Sequence, residues 1–212
     1  MRSIDDAGFE PLEDATLSGR DCDELLAALA EGRGRAGTRH LMRHPAVAAV
    51  ARRLARGLVP YRATLFEKSG ARNWLATWHQ DTAMPLERRF DSGAWGPWSE
   101  KAGILYAHAP AWALQRVTAL RIHLDASTAD NGPLRVIPGS HRHGVLAGAE
   151  VFRRAREGTS ATLLAGRGEV LAMRPLLIHA SAKAVGPAPR RVLHVEYADT
   201  LRLAPGIVLT TA

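Results

Sequence analysis

The order of apolar and polar positions divides the chain in two. Near its start, Ser18 and Asp21 are candidate N-caps for a helix through Cys22-Asp23-Glu24-Leu25-Leu26-Ala27-Ala28-Leu29-Ala30, closed by Gly32. Gly32 to Gly37, rich in glycine and arginine, reads as a loop. Pro45 is placed to open a second helix, Ala46 to Arg56. Val47, Val50 and Leu54 form its apolar stripe, with Arg52, Arg53 and Arg56 mainly on other faces. Gly57 and Pro60 end it.

Beyond Pro60 the period shortens. Apolar or alternating runs follow at Val59–Phe66, Asn73–His79, Gly103–Ala107, Val117–Leu124 and Leu134–Ile137. Others follow at Gly168–Met173, Leu176–His179, Val192–Tyr197 and Ile207–Leu209. Ser69-Gly70, Asp130-Asn131-Gly132-Pro133, Pro138-Gly139 and Gly186-Pro187 are turn signals between them. Two helices followed by about eight strands predict a mainly β fold with flanking helices, an antiparallel double-sheet domain such as a jelly roll. No long linker separates the parts, so one domain over 1–212 is expected, with 1–57 mainly helical and 58–209 as the β core.

Composition narrows the function classes. The single cysteine, Cys22, allows no internal disulfide and no CxxC zinc site, which makes a reducing, cytoplasmic setting the default. Apolar runs are too short or too interrupted to span a bilayer, and the start of the chain lacks a signal-like apolar core. Net charge is +7, and 25 of the 28 basic residues are Arg. Eight of them lie between Gly32 and Phe66 with no acid: Arg33, Arg35, Arg39, Arg43, Arg52, Arg53, Arg56 and Arg62. Tyr61 is the one aromatic among them, too few for an interleaved pattern, and no nucleic-acid motif accompanies them, so a solvated face or attraction for an anionic small-molecule substrate is preferred to nucleic-acid binding.

The chemistry concentrates in Trp78-His79-Gln80-Asp81. Residues two apart share one side of an extended segment, so His79 and Asp81 can reach one ion. A distant His179, after the apolar run Val170–Ile178, would complete a two-His-one-carboxylate set with open positions suited to Fe(II), a co-substrate and O2. His179 can equally cap a core strand and bond a carbonyl. Arg190 and Arg191 open the next strand. A hairpin would bring one of them back beside the metal, where a guanidinium can grip a dicarboxylate. A solvated strand edge is the plainer account of such a pair.

Three ordered blocks change the balance: Asn73 to Asp81, Asn131-Gly132-Pro133-Leu134-Arg135-Val136-Ile137-Pro138-Gly139-Ser140-His141-Arg142, and His179-Ala180-Ser181 with Arg190-Arg191-Val192-Leu193-His194. Together they resemble the phytanoyl-CoA dioxygenase family over roughly Leu58 to Ala198. The resemblance implies a cupin-like double-stranded β-helix and an oxygenase that uses Fe(II), 2-oxoglutarate and O2. It places iron on His79, Asp81 and His179, and the far carboxylate of 2-oxoglutarate on Arg190 with Ser181. Gln80 is expected to line the site. Because the chain is short for the family, a small molecule is expected in place of a long acyl-CoA. The Asp81 carboxylate favours hydroxylation over the halogenation of relatives that lack it. Desaturation or epimerisation on the same fold, a cupin-like enzyme without 2-oxoglutarate and a non-catalytic binding domain are the rivals.

The remaining candidates have plainer readings. Pro138-Gly139-Ser140-His141 is read first as a turn, and His108 and His123 as satisfied structural histidines; His194 has the parity opposite to Val195 and Tyr197. Trp74 and Trp78 share parity and are expected to pack in the core. The loop holding Trp95 and Trp98 is a candidate lid, with Lys101 as a partner for an acidic substrate group.

Overall fold

The computed structural model describes residues 3–31, 38–54 and 57–212. The expected loop over 32–37 and the helix end at 55–56 lie outside them, as does the Leu54 side chain. The first long helix spans Gly19–Glu31, a turn earlier than the apolar pattern suggests. Its start is a reciprocal cap: Asp21 N donates to Ser18 Oγ (3.1 Å), and Ser18 N donates to the Asp21 carboxylate (3.0 Å). The second spans Pro45–Leu54 and buries Val47 and Val50.

The strands of the body, in chain order, are β1 (Phe9–Pro11), β2 (Val59–Lys68), β3 (Ala76–His79), β4 (Ala83–Leu86), β5 (Trp98–Lys101) and β6 (Ile104–His108). There follow β7 (Val117–His123), β8 (Leu134–Val136), β9 (Ala161–Leu163), β10 (Val170–Met173), β11 (His179–Ser181) and β12 (Arg190–Ala198). One sheet has the order β1-β10-β7-β12-β2, a second β3-β11-β8-β9, and a third β4-β6-β5. Their pairings are antiparallel. The first two sheets face each other, as the expected jelly roll requires, and Ala119, Leu171 and Met173 of one pack with Leu134 and Val136 of the other. They do not close into a barrel.

Strand parity divides the work of β12. Leu193, Val195 and Tyr197 face outward and pack with Leu120 and Ile122 of β7 against Cys22, Leu25, Val47 and Val50 of the helices. Arg190, His194 and Glu196 therefore point into the space between the sheets. On the back of the other sheet, Ile137, Ile178 and Trp78 pack against the Gly148–Glu157 helix.

Two expected placements change. The run Leu176–His179 is not a strand: Pro175 cannot donate to a ladder, the chain turns there, and pairing begins only at His179. More consequentially, β11 and β12 form no hairpin, because they belong to opposite sheets. Arg190 reaches the site across the sandwich. The third sheet also absorbs the lid candidate. Trp98 opens β5, Trp95 is buried, and both meet the Phe90 ring edge to face at 5.2 and 5.5 Å. Lys101 is exposed over the Tyr106 ring.

Candidate active site

His79 ends β3 and His179 begins β11, directly opposite in register. The pairing is irregular between His179 and Ser181, so Ala76 and His79, three residues apart, both reach the interior. Asp81 follows two residues after His79 and is fixed by its own backbone N–H, which donates to Pro175 O (2.9 Å). The cluster is tight. Asp81 Oδ1 lies 3.8 Å from His79 Nε2 and Oδ2 lies 3.5 Å from His179 Nε2; one ligand atom from each residue falls within 4.8 Å of the others.

Both imidazoles are oriented the same way. His79 Nδ1 donates to Thr77 O at 2.6 Å, and His179 Nδ1 donates to Leu177 O at 2.8 Å. A carbonyl only accepts, so each Nδ1 carries hydrogen and each ring turns its Nε2, the nitrogen left for a metal, toward Asp81. Burial lowers the pKa of His179 and outweighs the pull of Asp81, which keeps that ring neutral. Burial opposes ionisation of Asp81, but His179, His194, His79 and Arg62 outweigh it and its carboxyl stays below the usual range. Two imidazoles and one carboxylate form the donor set of a divalent metal site.

Beside this cluster is a cavity of about 60 Å³ lined by His79, His179, Ser181, Arg190, Arg121 and Phe66, among others. Its charge is unbalanced. Arg190 is 1% exposed; its Nη2 lies 3.4 Å from Ser181 Oγ, and its Nε has no partner among the described residues. Lys68 is fully buried beside it and donates to Ser181 Oγ (2.6 Å), to Ser181 O (3.3 Å) and to Ala182 O. Burial and then Arg190 push its pKa down to about 8. Arg121, 4% exposed, also has an orphan Nε. Among the described residues no carboxylate pairs with any of the three. Burying unpaired cations is costly, and a bound anion supplies the missing partner. Ser181 joins the cations, accepting from Lys68 and Arg190 and donating to Gly132 O (2.8 Å).

The structure thus brings His79, Asp81, His179, Ser181 and Arg190 together, and adds Lys68 and Arg121. Gln80 does not line the cavity. Its Nε2 donates to Gly144 O (2.9 Å) and Leu176 O (2.7 Å), and its Oε1 accepts from Leu146 N (2.9 Å). Arg191 forms a two-pronged pair with Asp125 at 2.7 and 2.8 Å. Trp74 is not core: the strand starts only at Ala76, and Trp74 stands 37% exposed at the cavity wall with Lys68 4.8 Å from its ring.

The turn motif supports the site. Ser140 Oγ accepts from Ile178 N (2.9 Å), holding the chain just before His179. Gly132 has φ +71°, and a Cβ there would collide with Ala182 O and stand 2.8 Å from Lys68 Nζ, so the Asn-Gly turn needs its glycine. A larger cavity of about 390 Å³ lies beyond Leu134 and holds none of the metal cluster.

His123 lines that second cavity and is structural: its Nδ1 donates to Glu169 O (3.0 Å). Burial and then Arg121 push its pKa down to about 4. An unfolded chain takes this proton near pH 6.5. The contribution of the neutral ring is therefore complete above about pH 6.5 and falls as pH drops toward 4, by at most about 1.4 kcal/mol per unit. His123→Gln should flatten the acid side of a urea-stability profile; an unchanged slope would remove His123 from this account.

The profile of the phytanoyl-CoA dioxygenase (PhyH) family matches residues 7–192. The chain belongs to the phytanoyl-CoA dioxygenase family. Its solved neighbours share the family's double-stranded β-helix. AviO1 from Streptomyces viridochromogenes Tue57 is 22% identical with a TM-score of 0.58, covering 92% of this chain and 91% of that one. EctD from S. alaskensis with 2-oxoglutarate and 5-hydroxyectoine is 21% identical, TM-score 0.60, covering 92% and 73%. SnoN, a non-heme alpha ketoglutarate dependent epimerase from nogalamycin biosynthesis, is 16% identical, TM-score 0.61, covering 93% and 80%. At these identities the likeness carries the fold. Among curated proteins none matches. No helix among the described residues is long and apolar enough to cross a membrane.

Proposed function

We propose that this phytanoyl-CoA dioxygenase family member is an Fe(II)- and 2-oxoglutarate-dependent hydroxylase, acting on an unactivated C–H of a small molecule as a single domain over 1–212. The observation that supports it most is the junction of two half-sites in one cavity. His79, Asp81 and His179 offer a metal three donor atoms, and Arg190, Lys68 and Ser181 offer an anion charged and neutral hydrogen bonds immediately beyond. A dicarboxylate 2-oxo acid would fit such a pair: His79, Asp81 and His179 would hold the metal that its oxo-acid end needs, and Arg190 would hold its far carboxylate. The orphan Nε of Arg190 fits this reading, since it is a buried donor with no protein partner among the described residues.

Bound Fe(II) and 2-oxoglutarate supply the oxygen-activating chemistry, with succinate and CO2 released. This chain's residues orient and exclude. The Thr77 and Leu177 carbonyls hold the two imidazoles, Ser181 fixes the spacing of Lys68 and Arg190, and the sandwich keeps water from the far end. His79, with 42% of its side chain exposed, is on the open side, where Trp74 and Phe66 give the cavity an apolar wall for a substrate.

The test is anaerobic titration of the Fe(II)-loaded protein with 2-oxoglutarate. A weak visible charge-transfer band should rise and saturate near one equivalent, and succinate should appear aerobically with the right small molecule. Absence of the band would sink the reading.

A further inference from the structure

Arg121 is the interior charge that the distal-carboxylate site does not explain. It interrupts β7, a strand whose seven residues are all buried, where an arginine without an acid partner is costly. Among the described residues its Nε is unpartnered, and its Nη1 meets only His194 Nδ1, at 3.4 Å. The Phe66 ring lies 5.4 Å from the guanidinium carbon. None of these contacts neutralises it.

Its place suggests what does. Arg121 is directly opposite His194 in the β7–β12 register, whereas Arg190 lies four residues back along β12, about 13 Å at the usual strand rise. Both side chains nevertheless line the same small cavity, so they enter it from different directions. Arg121 is close enough to Arg190 and Asp81 for the first to lower its pKa and the second to raise it; burial is the larger influence. It therefore faces one cavity with the far anion site, Arg190 and Ser181, and with both histidines of the metal cluster.

We infer that Arg121 holds the metal-side carboxylate of the 2-oxo acid, while Arg190, Ser181 and Lys68 hold the distal one. The inference rests on the co-substrate reading above and deepens it. A chelating 2-oxo acid gives the metal one oxygen of its near carboxylate, and the other needs a donor in a dry cavity. Two guanidiniums then meet the two ends of one dianion.

Two probes separate the roles: 2-oxoglutarate, and 2-oxobutyrate, which has the same oxo-acid end but no distal carboxylate. Dissociation constants are read anaerobically from the charge-transfer band of the Fe(II) protein. Arg121→Gln should weaken both acids by a similar factor, roughly 10- to 100-fold, as for loss of a charged hydrogen bond. Arg190→Gln should weaken 2-oxoglutarate and leave 2-oxobutyrate nearly unchanged. Should Arg121→Gln misfold by circular dichroism, Arg121→Lys carries the test, with a smaller but again equal loss for both acids. Loss confined to 2-oxoglutarate, or no loss for either, overturns the assignment of Arg121 while leaving the co-substrate reading intact. A parent protein that binds neither acid overturns both.

Discussion

Arg190→Met should melt above the parent protein and bind 2-oxoglutarate about 100- to 1000-fold more weakly. Both effects come from one fact. The guanidinium is almost wholly buried, has one long hydrogen bond to Ser181 and, among the described residues, an orphan Nε; Arg121 lines the same cavity and the buried Lys68 shares the Ser181 hydroxyl. Replacing an uncompensated buried charge with an apolar chain of similar length stabilises by about 1–3 kcal/mol. For a domain of this size that raises the melting temperature by roughly 2–10 °C. The same change removes a two-pronged charged contact to a carboxylate, worth about 3–4 kcal/mol by the usual range for such bonds. Arg191→Met is the control: Asp125 already pairs with Arg191, so the melting point should fall slightly and binding should hold. Thermal melts with and without 2-oxoglutarate check both. A variant that melts lower but binds normally would make Arg190 a structural residue.

That contrast between neighbours shows how far the sequence could be read. Alternation alone brings His79 and Asp81 to one side, and β12 parity separates Arg190 from Arg191 once the apolar Leu193, Val195 and Tyr197 mark the helix-facing side. The route of Arg190 is not legible, because adjacency in sequence suggests a hairpin and the jelly roll sends β11 and β12 to opposite sheets. Arg121 did leave a signal, as a charge centred in the apolar run Val117–Leu124, where both faces are buried. Lys68 left less: it ends a strand in the basic part of the chain, and only the fold sets its ammonium on Ser181. Gln80 shows the limit of proximity. Being between two candidate ligands put it under suspicion, yet alternation turns it away and three backbone groups occupy its amide.

Asp81→Ala should lower Fe(II) affinity by more than about 100-fold, beyond the usual cost of losing a group that merely orients a ligand. Anaerobic calorimetry measures it. The carboxylate is the only acid in the cluster, and without it a divalent cation would meet two imidazoles beside a cavity lined by Arg121 and Arg190, with Lys68 buried against Ser181. The backbone should hold, because the Asp81 N–H bond to Pro175 O does not use the side chain, and the Thr77 and Leu177 carbonyls still fix both rings. Removing the one negative charge should also act on the other half-site. Metal-free Asp81→Ala should bind 2-oxoglutarate several-fold more tightly than the metal-free parent, since Arg121 loses the acid that partly offsets its charge. Opposite changes in metal and anion affinity from one substitution are what adjoining half-sites of opposite preference require. Unchanged Fe(II) binding would place the metal elsewhere, and weakened anion binding in the metal-free protein would mean that Asp81 holds the cavity's shape.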